Sequence, residues 1–597
     1  MNLRRSIRPL SLVLFLTVCV ISLSACSKAE VYWSVFKFSR QSGAVLHTLH
    51  SPKPELAARL PGELKDAVAH RNHDHLLLQG AYGPINYAYR FVKNHLPSKD
   101  HEALMARLAE ITKEGIDPQP YEIERAKKMA ETLTACQQAL ADLEQQGLNV
   151  SQAEKDELRN ALLEANLPSQ SPAEILAYVA TPANRGRFPE LYERVTRVSQ
   201  LAAERNAAES RLELLDAVNF FRLAQEMGVP EDRLIPTWQE STVDMPGTLK
   251  KMAPTIRHYE QLVQELARYR KLAQQKQTPL DAAKSAKVGS QGEFVQRIQE
   301  HLQLTGYWSG PADGQFDEKL KEAVTAYQAN HQLVASGAVG KETITSFNMP
   351  FSARVRQIKL GLHRLRMTGT RGVDFFVWVN VAAQQLEVFD QGGATVLRKH
   401  KIIVGQRVLK NHTPLFTAQI KMVITFPPWN VPERILREEM LPEYEDDPDY
   451  FTDRGYRIKV VGTGDDARVV AVTQPPGEGN ALGVVKILFP NPYDVYLHDT
   501  PKKFLFAQTV RTFSHGCLRL QNALDLARFL LEHDHNEMAA KVDELVKKHQ
   551  SQEIHLNKLV PIFVEYSTSS ADENGLATFF LDIYGLETEE LKRISAD

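Results

Sequence analysis

Two side chains in this sequence are typed and spaced for nucleophilic chemistry. His498 lies in Tyr496-Leu497-His498-Asp499-Thr500-Pro501, and Cys517 in Ser514-His515-Gly516-Cys517-Leu518-Arg519-Leu520. A thiol attacks as thiolate, and a free cysteine has a pKa of about 8.5, so near neutral pH it needs a base or a positive charge beside it. Imidazole titrates near the working pH, so His498 can be that base. Gly516 permits a sharp turn just before Cys517, which would expose Sγ and aim backbone N–H groups at a developing oxyanion. The flanks fit this arrangement. Val495-Tyr496-Leu497 reads as a buried strand, and the apolar residues from Ala523 to Leu531 recur at helical spacing. The thiol is therefore expected between a strand and a helix. The plainer alternative is a buried structural cysteine with two unrelated histidines nearby.

The longer pattern, His498 followed by S-H-G-C, a hydrophobe and Arg519, resembles the signature of L,D-transpeptidases with a YkuD-type catalytic domain. Papain-like and NlpC-type cysteine peptidases place Cys before His, whereas His498 precedes Cys517 here. The resemblance implies that Cys517 attacks the carbonyl between the third and fourth residues of a peptidoglycan tetrapeptide stem. His498 would take the thiol proton and return it to the leaving amine. A side-chain amine of a second stem would then resolve the thioester into a 3→3 cross-link, with no cofactor and no metal.

Backbone N–H groups near Gly516 and Cys517, with Tyr496, are the oxyanion candidates. Asp499 could orient His498 through its side chain or, as the family position implies, through its backbone carbonyl. His515 lines the oxyanion region or packs under the turn. Arg519 binds a substrate carboxylate through its fork of donors or anchors the helix in an ion pair. Ser514 reads as structural. A hydrolase on the same scaffold, cutting stem or stem–lipoprotein links, is the second reading. A non-catalytic peptidoglycan-binding lipoprotein is the third, and it would predict a damaged thiol or base.

The chain of 597 residues is too long for one core, and its formal net charge of −2 offers no basic stripe for nucleic acid. Arg4, Arg5 and Arg8 precede an apolar run from Leu10 to Leu23, which is shorter than the ~20 residues that span a bilayer. Leu23-Ser24-Ala25-Cys26 resembles a bacterial lipobox, which implies cleavage before Cys26 and acylation of its thiol. The implied placement is the periplasm, with a lipid anchor in a membrane; Ser27 points to the outer one. The cysteines are Cys19, Cys26, Cys136 and Cys517. A Cys136–Cys517 disulfide would bury the nucleophile, so both are expected free, and their separation gives no metal-site spacing.

The fold class expected is multidomain, beginning with the signal peptide 1–25 and a tether 26–51. An α-helical scaffold 52–275 follows, marked by Ile123, Ala126, Met129 and Leu133 at helical steps and by breaks at Gly115-Ile116-Asp117-Pro118, Asn166-Leu167-Pro168 and Gly228-Val229-Pro230. Cys136 falls on its apolar face. A polar linker 276–291 leads to a small three-helix unit at 292–348. Its Asp313-Gly314-Gln315-Phe316, Tyr327-Gln328 and Gly337-Ala338-Val339-Gly340 resemble the peptidoglycan-binding module, with Leu320 where that family usually has Thr.

A connecting helix 351–372 precedes a mainly-β YkuD-type domain 373–545. Short strand patterns there carry Val404-Gly405, Thr413-Pro414 and Pro428-Trp429-Asn430-Val431-Pro432. The acidic stretch 433–470 reads as an inserted cap or a solvated loop, and 546–597 as an α/β C-terminal extension. From Phe351 on, the order resembles the large YcbB-type L,D-transpeptidases. The implied partners are stem peptides, the sacculus and the membrane, with room for cell-wall synthesis proteins.

Overall fold

The structure, a computed structural model, describes residues 90–594 except 146–150, 463–467 and scattered positions between 152 and 180. The signal peptide 1–25, Cys26 and its acylation, the tether 26–51, the start of the scaffold and the Asn166-Leu167-Pro168 break lie outside the described residues. Among those described, no helix is long and apolar enough to cross a membrane. The chain divides into two compact units: Met1–Thr112 with Asp117–Ala253, and Lys113–Ile116 with Pro254–Asp597.

The first unit is helical, with α1 (Lys99–Glu110), α2 (Ile123–Gln145), α3 (Pro189–Glu226), α4 (Leu234–Ser241) and α5 (Met245–Lys251). Ser98 caps α1 by accepting from Asp100 N and His101 N. Buried Glu213 on α3 accepts from the backbone N–H groups of Arg90, Phe91 and Val92, which satisfies an acid that burial would otherwise destabilise. Cys136 on α2 is buried and free, on the apolar face the sequence assigned it.

The second unit begins earlier than the sequence pattern suggests. α6 (Arg257–Ala273), expected as the end of the scaffold, buries Tyr259, Leu262, Leu266 and Tyr269 in one stripe. That stripe packs with α10 (Phe351–Met367), within the second unit.

Between them lie α7 (Glu293–Leu304), α8 (Glu318–Asn330) and α9 (Lys341–Phe347), the three helices expected of the module. The expected linker 276–291 is folded into it. Leu280 and Ala286 join its core, and Ala286 exchanges backbone bonds with Val339 at 3.0 and 2.8 Å. Two buried glutamines hold its turns. Gln299 donates to Asp313 Oδ1 and accepts from Gly314 N, and Gln328 donates to Ala338 O and accepts from Gly337 N. Asn330 donates to Asp572 Oδ2 at 2.8 Å and Gln332 to Ala382 O at 3.1 Å, so the module is bonded to the β domain.

That domain is built on β1 (Phe376–Asn380), β2 (Gln385–Asp390), β3 (Thr395–Gly405), β4 (Phe416–Thr425), β5 (Trp429–Asn430), β6 (Arg457–Val461), β7 (Arg468–Gln474), β8 (Val485–Leu488), β9 (Leu497–His498), β10 (Thr512–Ser514), β11 (Leu518–Leu520) and β12 (Gln552–Glu565). Nine strands form one sheet in the order β10-β3-β11-β9-β8-β4-β12-β1-β2, and β2 pairs back with the long β3, closing it on itself. β12 comes from the stretch read as a C-terminal extension. It lies between β4 and β1, so 546–597 completes the sheet instead of trailing from it.

The insertion has its own small sheet, β5-β7-β6, and a helical run from Glu433 to Asp446. Val431, Leu436, Met440, Phe451 and Val472 make its core. The stretch is thus folded around a core of its own, with Glu433, Glu438, Glu439 and Glu443 exposed to solvent.

Candidate active site

Three neighbouring strands bring the predicted residues to one face. β8 pairs antiparallel with β9, placing Lys486 opposite His498, and β9 pairs parallel with β11, placing Leu497 opposite Leu518 and His498 opposite Arg519. Leu497 and Leu518 are fully buried in the core. Alternation along each strand therefore turns Tyr496, His498, Cys517 and Arg519 the other way. One position back in the same register, Leu518 N donates to Tyr496 O at 3.1 Å, which sets Tyr496 beside Cys517. Cys517 and His498 are thus diagonal neighbours across a strand pair. The thiol lies between β10 and β11, not between a strand and a helix; the expected helix α11 (Ala523–His533) starts only after β11 ends.

His498 is buried, and its Nδ1 lies 2.6 Å from the backbone carbonyl of Asp499. A carbonyl only accepts, so Nδ1 carries the proton and Nε2 is left as the basic nitrogen. The Asp499 carboxylate is used elsewhere, accepting from Val484 N at 3.1 Å and pairing with Lys503. Orientation of His498 comes from the Asp499 backbone, not its side chain.

Burial, with the Arg519 guanidinium and then Lys486, pushes the imidazole of His498 down to about 3, against the raising effect of the Asp499 bond. Burial also raises the Cys517 thiol, opposed by the Tyr496 backbone N–H, Lys486, the Tyr496 hydroxyl and Arg519. Both shifts favour the uncharged form of each group.

The turn before Cys517 is locked. Gly516 has φ +119°, a conformation that side chains disfavour. Thr413 Oγ1 donates to Gly516 O at 2.9 Å, and Ser514 Oγ donates to Cys517 O at 2.6 Å. Gly516 N–H donates to Ser514 Oγ at 3.2 Å, so the expectation that it points at an oxyanion is not met here. Ser514 holds the loop, as its structural reading implies.

The His515 side chain reaches the insertion. Its Nε2 pairs with Glu439 of the insertion at 2.9 Å, and its carbonyl accepts from Arg434 at 3.5 Å. Glu439 and Arg434 therefore tie the insertion to the loop that carries Cys517. Arg519 has no carboxylate within ion-pair distance among the described residues, so the helix-anchoring reading fails.

Sequence reasoning missed Lys486. Its ammonium sits 3.8 Å from the centroid of the Tyr496 ring. The available signal was one charge inside the short buried run Val485-Lys486-Ile487-Leu488.

Residues 374–543 match the family model described as the YkuD L,D-transpeptidase catalytic domain, and residues 291–346 match that of a putative peptidoglycan binding domain. A protein of Haemophilus influenzae named a putative L,D-transpeptidase is 31% identical over 226 residues, covering 36% of this chain. The chain spans 45% of the length of that relative.

Among solved structures, an L,D-transpeptidase fragment from Xylanimonas cellulosilytica is 16% identical, covering 49% of this chain and 100% of its own, with a TM-score of 0.17. An L,D-transpeptidase from Stackebrandtia nassauensis is 15% identical over 49% of this chain and 98% of its own, with a TM-score of 0.21. Scores this low carry no weight for fold or chemistry. The match to the catalytic domain spans both Cys517 and His498, and the chain therefore carries a YkuD L,D-transpeptidase catalytic domain with a peptidoglycan-binding domain ahead of it.

Proposed function

We propose that this chain is a cysteine-dependent L,D-transpeptidase that forms 3→3 cross-links in peptidoglycan. The observation that carries the reading is the His498–Asp499 bond, which frees Nε2 on the face it shares with the thiol. In the proposed reaction His498 Nε2 removes the Cys517 proton as Sγ attacks the carbonyl between the third and fourth residues of a tetrapeptide stem. The tetrahedral oxyanion is stabilised by the Tyr496 hydroxyl and the Cys517 backbone N–H. Collapse breaks the amide bond, and the imidazolium returns the proton to the leaving amine. The resulting thioester retains the activation needed for a new amide, so a side-chain amine of a second stem resolves it without another energy source.

Amine must outcompete water at that step. The insertion, tied to the catalytic loop through Glu439–His515 and Arg434, is proposed to cap the site and exclude solvent. The domains act on the cell envelope, and acylated Cys26 is proposed to hold the chain there.

Mass spectrometry of tetrapeptide muropeptides incubated with the chain lacking residues 1–26, with Cys517→Ala beside it, tests the reading. Thiol-dependent 3→3 dimers are expected. Loss of existing links without new dimers would establish a hydrolase instead.

A further inference from the structure

His498 stands between two cations. Lys486 is its partner on β8 and Arg519 its partner on β11, both on the face that carries Cys517. Two strand spacings separate their backbones, about 10 Å, so two long side chains can converge on one group. Both are partly buried. Among the described residues neither has a carboxylate within ion-pair distance. The groups that act on Lys486 are Cys517 first and then, at longer range, Asp494 and Glu553, and Arg519 responds to Cys517 alone. Partly buried charges normally have partners, because desolvation penalises them otherwise. Two cations that share only the Cys517 thiol and hold no carboxylate are placed to receive an anion.

We propose that Lys486 and Arg519 together form a carboxylate site flanking His498, and that it receives a carboxylate of the stem peptide when the donor binds. The proposal rests on the transpeptidase reading for its substrate, not for its geometry. Its consequence is a substrate-gated base. With the site empty, two positive charges beside His498 oppose formation of imidazolium. A bound carboxylate neutralises that field at the moment the thiol proton has to move. The Tyr496 ring under Lys486 gives that side chain a second, purely packing role, and the test has to separate the two.

Binding of synthetic stem peptides to the full chain carrying Cys517→Ala, measured by calorimetry, makes the separation. Stems are compared as free acids and with each carboxylate amidated in turn. One amidation is expected to weaken binding by about tenfold, the effect of losing a charge-assisted contact, and it identifies which stem carboxylate is read. Adding Lys486→Met should collapse that acid-to-amide ratio to near one, and Lys486→Arg should restore it. A ratio of one in the parent, or a ratio that survives both Lys486→Met and Arg519→Met, overturns the proposal. A chain that prefers the acid yet forms no thiol-dependent product when Cys517 is intact would sink the transpeptidase reading and leave the carboxylate site standing.

Discussion

The module and the catalytic sheet each bury a histidine, and the two environments are nearly alike. His331 after α8 has Nδ1 against Tyr327 O at 2.8 Å; His498 has Nδ1 against Asp499 O at 2.6 Å. Burial and a nearby arginine, Arg354 in one case and Arg519 in the other, hold both imidazoles well below their ordinary basicity. What differs is what each ring faces. His331 stacks on Tyr327 at 3.7 Å between centroids and meets Phe579 at 5.5 Å. His498 faces a thiol diagonally across a strand pair, with cations on either side. A depressed histidine thus does not mark a base; a proton donor within reach does.

The largest effect that could break this contrast lies in the chemistry. Cys517→Ala should reduce turnover by about 10⁴-fold or more, and His498→Gln by about 10²–10⁴-fold, the usual worth of a nucleophile and of its base. Both should leave the fold intact by circular dichroism. His331→Gln should leave turnover within about threefold while costing about 1–3 kcal/mol of stability, because it disturbs a packed ring without touching the reaction. Steady-state rates beside urea melts decide the matter. A His331 variant that stays folded but is as slow as His498→Gln would erase the distinction.

The next effect is in stability against pH. The folded value of His331 lies below its unfolded value of about 6.5. Above about 6.5 neither state takes the proton and the full stability is present; below it the unfolded chain takes a proton that the folded chain refuses. Stability therefore falls as pH drops, by about 1.4 kcal/mol per unit per histidine until the folded group also titrates. His301, pushed to about 3 by burial and Arg354, adds to the slope in the same region of the chain. His331→Gln should flatten the change in urea midpoint between pH 7 and pH 5 by one proton's worth. An unchanged slope would mean that His331 accepts its proton inside the fold.

Much of the site was legible because chemistry and turn geometry are local. Cys517, Gly516 and His498 needed only their neighbours in sequence, and the module's Gln328 and Asp313 mark turns that they themselves hold. What stayed hidden depends on pairing between distant strands. Lys486 becomes part of the site only because β8 runs beside β9, and nothing near residue 486 reports that register. β12 reads as an appendage for the same reason: a strand inserted between β4 and β1 looks locally like any terminal strand. α6 shows the converse. Its apolar stripe was plain, but a stripe does not name the surface it packs on, so its helix was grouped with the preceding helices and not with α10.

The smallest effect tests whether the insertion differs from the sheet it is bonded to by being able to move. Glu439 and His515 join them at 2.9 Å, but the two side chains are 44% and 28% exposed. A pair that open to water contributes about 0–1 kcal/mol, so Glu439→Gln should barely shift global unfolding. Glu433 and Arg437 pair within the insertion itself, and Glu433→Gln is the matched control. Loss of the tie to His515 should speed amide hydrogen exchange across 433–446 and raise the fraction of thioester lost to water, whereas the control should do neither. The reason is that local opening needs only the free energy of the contacts broken, far less than global unfolding. Equal exchange in the two variants would mean that the insertion's own core holds it down, with the Glu439–His515 pair incidental to it.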